Sequence, residues 1–71
     1  MNLQMTSKRY IDIAIANMRY ELDLDKEYNR ILWVIKHTAE RFEITEAQAK
    51  AYRAVARSEY DRIKRFREER G

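Results

Sequence analysis

Cysteine and proline are absent from this 71-residue chain, and its only glycine is the last residue, Gly71. Each absence removes a class of answer. Without cysteine there is no disulfide and no thiolate metal site. Without internal glycine there is no glycine-rich phosphate loop. Turns fall to Asp, Asn, Thr and Glu, and they must be few. The sole histidine is His37, and an E-x-x-H di-metal motif built on it would need glutamate where Val34 stands. Ser7 and Ser58 lie on helical stretches with no nucleophile-elbow pattern. No cofactor and no metal are expected, and the chain reads as a binding protein rather than an enzyme. Long hydrophobic runs are missing too. The longest, residues 31–35, falls far short of the ~20 residues of a membrane span. The N-terminus lacks the apolar stretch of a signal peptide. The expectation is a cytoplasmic protein with no membrane partner.

What is present favours helix. Charged residues make up 38% and hydrophobic ones 45% of the chain, too apolar a mixture for a disordered segment. Residues 1–71 form one domain at most. A domain this small buries only about 60% of the surface its unfolded chain exposes. With disulfides and metals excluded, stability must come from a well-packed helical core or from self-association. The net charge is +3 with both signs interspersed, which gives a weak attraction to polyanions.

Hydrophobic spacing divides the chain into three helices. The first starts after Thr6 or Ser7, either of which can cap it. Ile11, Ile15, Met18 and Leu22 line one face, and Tyr10, Ile13 and Tyr20 lie opposite. The phase slips between Leu22 and Leu24, which places a turn there, with Asp23 or Asp25 capping the next helix. In the second helix Leu24, Tyr28, Ile31, Ile35, Thr38 and Phe42 share a face. One continuous helix over residues 7–42, about 54 Å long at 1.5 Å per residue, is the alternative. Thr45-Glu46-Ala47-Gln48 has the T-x-x-Q form of a capping box. The third helix runs from Glu46 to about Glu69, with Ala49, Tyr52, Val55, Ala56, Tyr60, Ile63 and Phe66 as its apolar arc. Glu59 falls inside that arc, where an unpaired carboxylate would be costly. Arg9, Arg19 or Arg30 is the expected partner, unless Glu59 reaches solvent at the helix edge. The fold class is thus all-α: a three-helix domain with a long C-terminal helix, possibly a helical hairpin, assembled as a homodimeric bundle.

Residues 35–54 resemble a helix-turn-helix DNA-binding segment, with Ala39 at the close contact, Phe42 and Ile44 flanking the turn, and Ala49 and Tyr52 facing inward. The turn position usually filled by glycine is Glu43, where a left-handed backbone would cost about 1 kcal/mol or more. A plain capped helix hairpin accounts for the same pattern. Lys50, Arg53, Arg57 and Lys64 form a basic stripe opposite the apolar arc, interrupted by Asp61. The resemblance implies DNA as partner, with the stripe on phosphates and Lys50 and Arg53 nearest the bases. The run from Arg41 to Glu46, with Tyr52, Ala54 and Ala56, also looks like part of the haemolysin-expression-modulating (Hha/YmoA) family. That likeness implies a helical co-regulator acting with a DNA-binding protein, although Arg57-Ser58-Glu59 stands where the family has Asp-His-Arg.

A protein partner is the other reading. Trp33 lies about 160° around its helix from Ile35, among Lys26, Asn29, Lys36, His37 and Glu40. A tryptophan ringed by polar groups fits an interface anchor, or else another helix covers it as core. Ile13 and Tyr20 likewise lack an evident cover within the chain. The leading expectation is a small DNA-associated or transcription-regulating protein. The alternative is a helical protein-binding module, an inhibitor or adaptor, docking through Trp33 and the Ile13/Tyr20 face. A homodimer built on helices 1 and 2 would bury the same residues.

Overall fold

The computed structural model describes residues 7–70, and every regular element among them is helical. Helix α1 spans Ser7–Ala16, a 3-10 turn spans Met18–Tyr20, α2 spans Leu24–Glu40 and α3 spans Glu46–Arg70. The chain is therefore an all-α, three-helix fold with a long C-terminal helix. The cap expected at Thr6 lies outside the described residues.

The first helix ends earlier than its apolar spacing predicts. Asn17, a poor helix former, adopts φ −101° and ψ 4°, and the chain tightens into the 3-10 turn through Tyr20 N–H to Asn17 C=O at 3.0 Å. Met18 stays fully buried in that turn, so the stripe Ile11–Ile15–Met18 holds although the α-helix has stopped. Leu22 does not join it and is 100% exposed. The next buried residue is Leu24, the first of α2. Asp23 caps α2 by accepting a hydrogen bond from the Lys26 N–H at 3.1 Å. The break across residues 17–23 rules out one continuous helix over residues 7–42.

Helix α2 ends in a Schellman motif. The Phe42 N–H donates to Ala39 C=O at 3.0 Å and the Glu43 N–H to Thr38 C=O at 3.1 Å, which satisfies carbonyls the helix end would orphan. The left-handed residue is Phe42, φ 63°, not Glu43. Phe42 consequently leaves the apolar stripe of α2 and its ring is 94% exposed. Ile44, two residues on, turns inward and is buried instead. Thr45 then opens α3 through a reciprocal capping box. Its N–H donates to Gln48 Oε1 at 2.9 Å, and its Oγ1 accepts from the Gln48 N–H at 3.0 Å.

Two tight motifs back to back leave α2 and α3 antiparallel. Tyr28 stacks on Tyr60 with ring centroids 4.4 Å apart, and farther from the turn Tyr60 donates to Asp25 while Lys64 Nζ approaches Asp25 to 3.9 Å. Two rods joined at one end and touching again some 25 Å away are nearly parallel in axis. Residues 24–70 thus form an antiparallel helical hairpin. Helix α1 packs on both α2 and α3. The core comprises Ile11, Ile15, Met18, Leu24, Ile31, Ile35, Ala39, Ile44, Ala49, Ala56 and Ile63. Thr38 joins it, because its hydroxyl donates to Val34 C=O at 2.6 Å and so is satisfied within its own helix.

On α3 only part of the expected arc is covered. Ala49, Ala56 and Ile63 are buried, Tyr52 and Tyr60 half-buried, and Val55 and Phe66 exposed. Val55 and Phe66 lie at one edge of the arc, beyond the reach of the short α1.

Two substitutions test the turn. Phe42→Gly removes a left-handed β-carbon and an exposed ring, and should raise stability by about 1 kcal/mol. Thr45→Ala removes the cap and should lower it by about 1 kcal/mol. Urea unfolding midpoints at unchanged slope measure both.

Candidate interaction surfaces

All four cations of the expected DNA-contacting stripe are exposed, and two of them are paired within the chain. Arg57 Nε donates to both oxygens of Asp61, at 3.1 and 3.2 Å, one helical turn away. That bond, with a smaller contribution from Tyr28, holds its guanidinium more firmly protonated than usual. Lys64 donates to the Tyr60 hydroxyl at 3.0 Å, which together with Asp25 raises its pKa. Both cations sit along the α2–α3 seam and are engaged within the chain. Lys50 and Arg53 are exposed near the start of α3.

The structure separates the three residues expected to bind a partner. Trp33 is 60% exposed on α2. Its ring lies against the His37 imidazole, centroids 4.0 Å apart, and His37 Nδ1 is 3.2 Å from Glu40 Oε1. Depressions of about 360 and 200 Å³ lie on its two sides. Ser7 and Val34 line both, Tyr10 and Arg30 the larger, and His37 and Arg41 the smaller. Tyr10, placed by its spacing on the outer face of α1, is half-buried here. Ile13 points outward from α1 at the margin of exposure and lines neither depression.

Tyr20 belongs to the other end of the bundle. With Arg19, Arg62, Ile63, Phe66 and Arg67 it lines a cleft of about 300 Å³. Arg67 closes this end by donating from Nη2 to the backbone carbonyls of Arg19 at 3.0 Å and Glu21 at 2.6 Å. These are the carbonyls of the 3-10 turn region that no helix satisfies. The Arg19 guanidinium lies over the Tyr20 ring at 5.0 Å and that of Arg70 over the Phe66 ring at 5.4 Å.

Glu59, half-buried beside this cleft, finds its partner on its own helix. Arg62 donates to it from Nε at 3.1 Å and from Nη2 at 2.7 Å. The expected partners were Arg9, Arg19 and Arg30; of these, Arg19 adds a weaker attraction. The Arg62 hydrogen bonds outweigh the effect of burial and hold the Glu59 carboxyl below its usual pKa. Tyr52 shifts upward, chiefly from burial and then from Asp12 beside it on α1.

Among the described residues no buried side-chain nitrogen or oxygen lacks a partner, no cluster of His, Cys, Asp or Glu is arranged to hold a metal ion, and no helix is long and apolar enough to cross a membrane. Sequence spacing missed the role of Phe66, Arg62 and Arg67. The signal lay in helix length: a 25-residue α3 must outrun a 17-residue α2, so its last turns meet the α1–α2 connection. Comparison with protein-family models, curated proteins and solved structures finds no match to this chain.

The Glu59 shift has a definite pH consequence. A carboxyl with a lower pKa folded than unfolded stabilises above its unfolded pKa and loses that contribution as pH falls through its folded value. Glu59→Gln should therefore lower stability slightly at neutral pH and leave it unchanged once the wild-type carboxyl is protonated, below the normal carboxylate range. Thermal unfolding from neutral to acid pH, comparing the two proteins, measures the convergence.

Proposed function

We propose that this chain is a non-enzymatic helical protein-binding module that docks its partner through Trp33. One observation carries the reading. A large ring is left mostly in water while the His37 ring, tilted 44° to it, already packs against it. Tryptophan gives more buried area per side chain than any other residue and is enriched at interface centres. A ring positioned before binding loses less conformational freedom on docking. The depressions beside it give a partner's side chains somewhere to enter. Arg30 and Arg41 at their edges supply planar donors for a carboxylate or carbonyl.

The partner is either a second copy of this chain or a different protein, and both use the same anchor. The outward Ile13 favours some further cover on α1, as a homodimer would provide. The DNA reading of the α3 stripe draws on Lys50 and Arg53 alone, because Arg57 and Lys64 are engaged by Asp61, Tyr60 and Asp25.

Trp33→Ala decides the matter. Its exposed ring contributes little to the core, so helicity and thermal midpoint should stay near wild type. Association should fall by about thirtyfold, the loss of about 2 kcal/mol typical of an interface anchor. Sedimentation at micromolar concentration shows whether the wild type self-associates, and cross-linked capture from the source cells, with and without the substitution, reads any other protein. A monomer whose captured proteins are unaffected by Trp33→Ala overturns the reading.

A further inference from the structure

The cleft at the far end of the bundle from Trp33 has a chemistry of its own. Its lining holds three arginines, two aromatic rings and Ile63, and no carboxylate. Tyr20 is 68% and Phe66 57% exposed, so each ring keeps open surface although its position is fixed by the backbone of a turn or a helix. Each has a guanidinium over one face, Arg19 at 5.0 Å from the Tyr20 centroid and Arg70 at 5.4 Å from that of Phe66, which leaves the other face for stacking. Arg67 spends its donors on carbonyl oxygens, which braces the rim without cancelling its positive charge. Arg62 is paired with Glu59, which also attracts Arg19 more weakly.

We propose that this cleft binds single-stranded nucleic acid, with bases stacked on Tyr20 and Phe66 and phosphates held by Arg19 and Arg70. Single-strand sites combine a cationic track with aromatic faces, since every base offers a flat face regardless of sequence. Both parts are present here, Arg19 and the two rings in the cleft and Arg70 beside it over Phe66. A paired duplex cannot use the rings, because its base faces are already stacked. An acidic peptide would answer the charge but not the geometry. Ile63 is the one aliphatic side chain in the lining and is itself buried, so the cleft offers little apolar surface to a peptide anchor. The proposal is independent of the Trp33 surface and of the Lys50/Arg53 stripe. If both surfaces act, the chain is an adaptor joining a protein to a strand.

The test uses the full chain and fluorescently labelled oligo-dT and oligo-rU of about 12 nucleotides, a length within reach of one small domain, read by anisotropy at low and moderate salt. The expected result is binding to the single strands that weakens as salt rises and exceeds binding to a duplex of the same length or to polyglutamate. Tyr20→Ala with Phe66→Ala should reduce affinity at least tenfold, since each base stack contributes about 1–3 kcal/mol. Helicity and Trp33-dependent association should persist in that variant. Arg19→Gln with Arg70→Gln should reduce affinity and flatten the salt dependence. The proposal is overturned by an absence of binding at low salt, by equal binding to duplex or polyglutamate, or by a folded Tyr20/Phe66 variant that binds as well as wild type. Loss of binding on Lys50→Ala with Arg53→Ala, while the Tyr20/Phe66 variant still binds, would place the site on the α3 stripe and also overturn it.

Discussion

Ala49, Ala56 and Ile63 recur every seven residues along α3 and are its buried side chains. This narrow stripe must serve two neighbours at once, since both α1 and α2 lie against it. Alanine allows close approach of helix backbones but gives little apolar area of its own, at roughly 25 cal/mol for each Å² removed from water. The larger groups that bury area, Ile11, Ile15, Ile31 and Ile35, therefore come from α1 and α2. A seven-residue repeat on a 3.6-residue helix also favours a left-handed wrap of neighbours, which suits the long, nearly parallel α2–α3 contact. One consequence is that large side chains flanking the stripe, Val55 and Phe66, stay more than half exposed.

The polar contacts at the seam and ends add order more than stability. The pairs Arg57–Asp61, Arg62–Glu59 and Arg41–Glu43 all lie within short sequence distance and largely in solvent, where ion pairs contribute little. The contacts that span the fold are different in kind. Tyr28 and Tyr60 combine a stacked pair with hydrogen bonding to Asp25, and Arg67 reaches back across 46 and 48 residues to carbonyls of the turn after α1. These set where the hairpin arms and the chain reversal stand relative to one another. They also place Tyr20 beside Phe66, so the same arginine that closes the bundle shapes the cleft there.

The two surfaces have a common origin. A flat bundle, 40 × 32 × 15 Å, leaves every helix with an open side. On α2 that side carries Trp33, held by His37. At the opposite end it carries Tyr20 and Phe66 with their guanidinium neighbours. A thicker domain would have covered these rings. In a chain too short to do so, they are the positions where binding can gain most.

Local rules in the sequence determined the three helices, the Thr45 cap, and the buried residues Ile11, Ile15, Met18, Leu24, Ile31, Ile35 and Ala49. Each depends on neighbours within a turn or two, and helical periodicity reports such neighbours directly. The same rules left the cap of α2 open between Asp23 and Asp25 and left Trp33 open between exposed anchor and core. Tertiary structure decided the rest. Periodicity names the face a residue shares but not how far the opposing helix extends, so Leu22 and Phe66 read as core and are exposed. Which residue takes the left-handed turn depends on where α2 meets Ile44, and that placed Phe42 rather than Glu43 at φ 63°. Charge spacing places Lys64 in a basic stripe but does not show its partners, Tyr60 on its own helix and Asp25 on α2. The cleft around Tyr20 unites residues more than forty positions apart, and only the folding of α3 back onto the first turn brings them together.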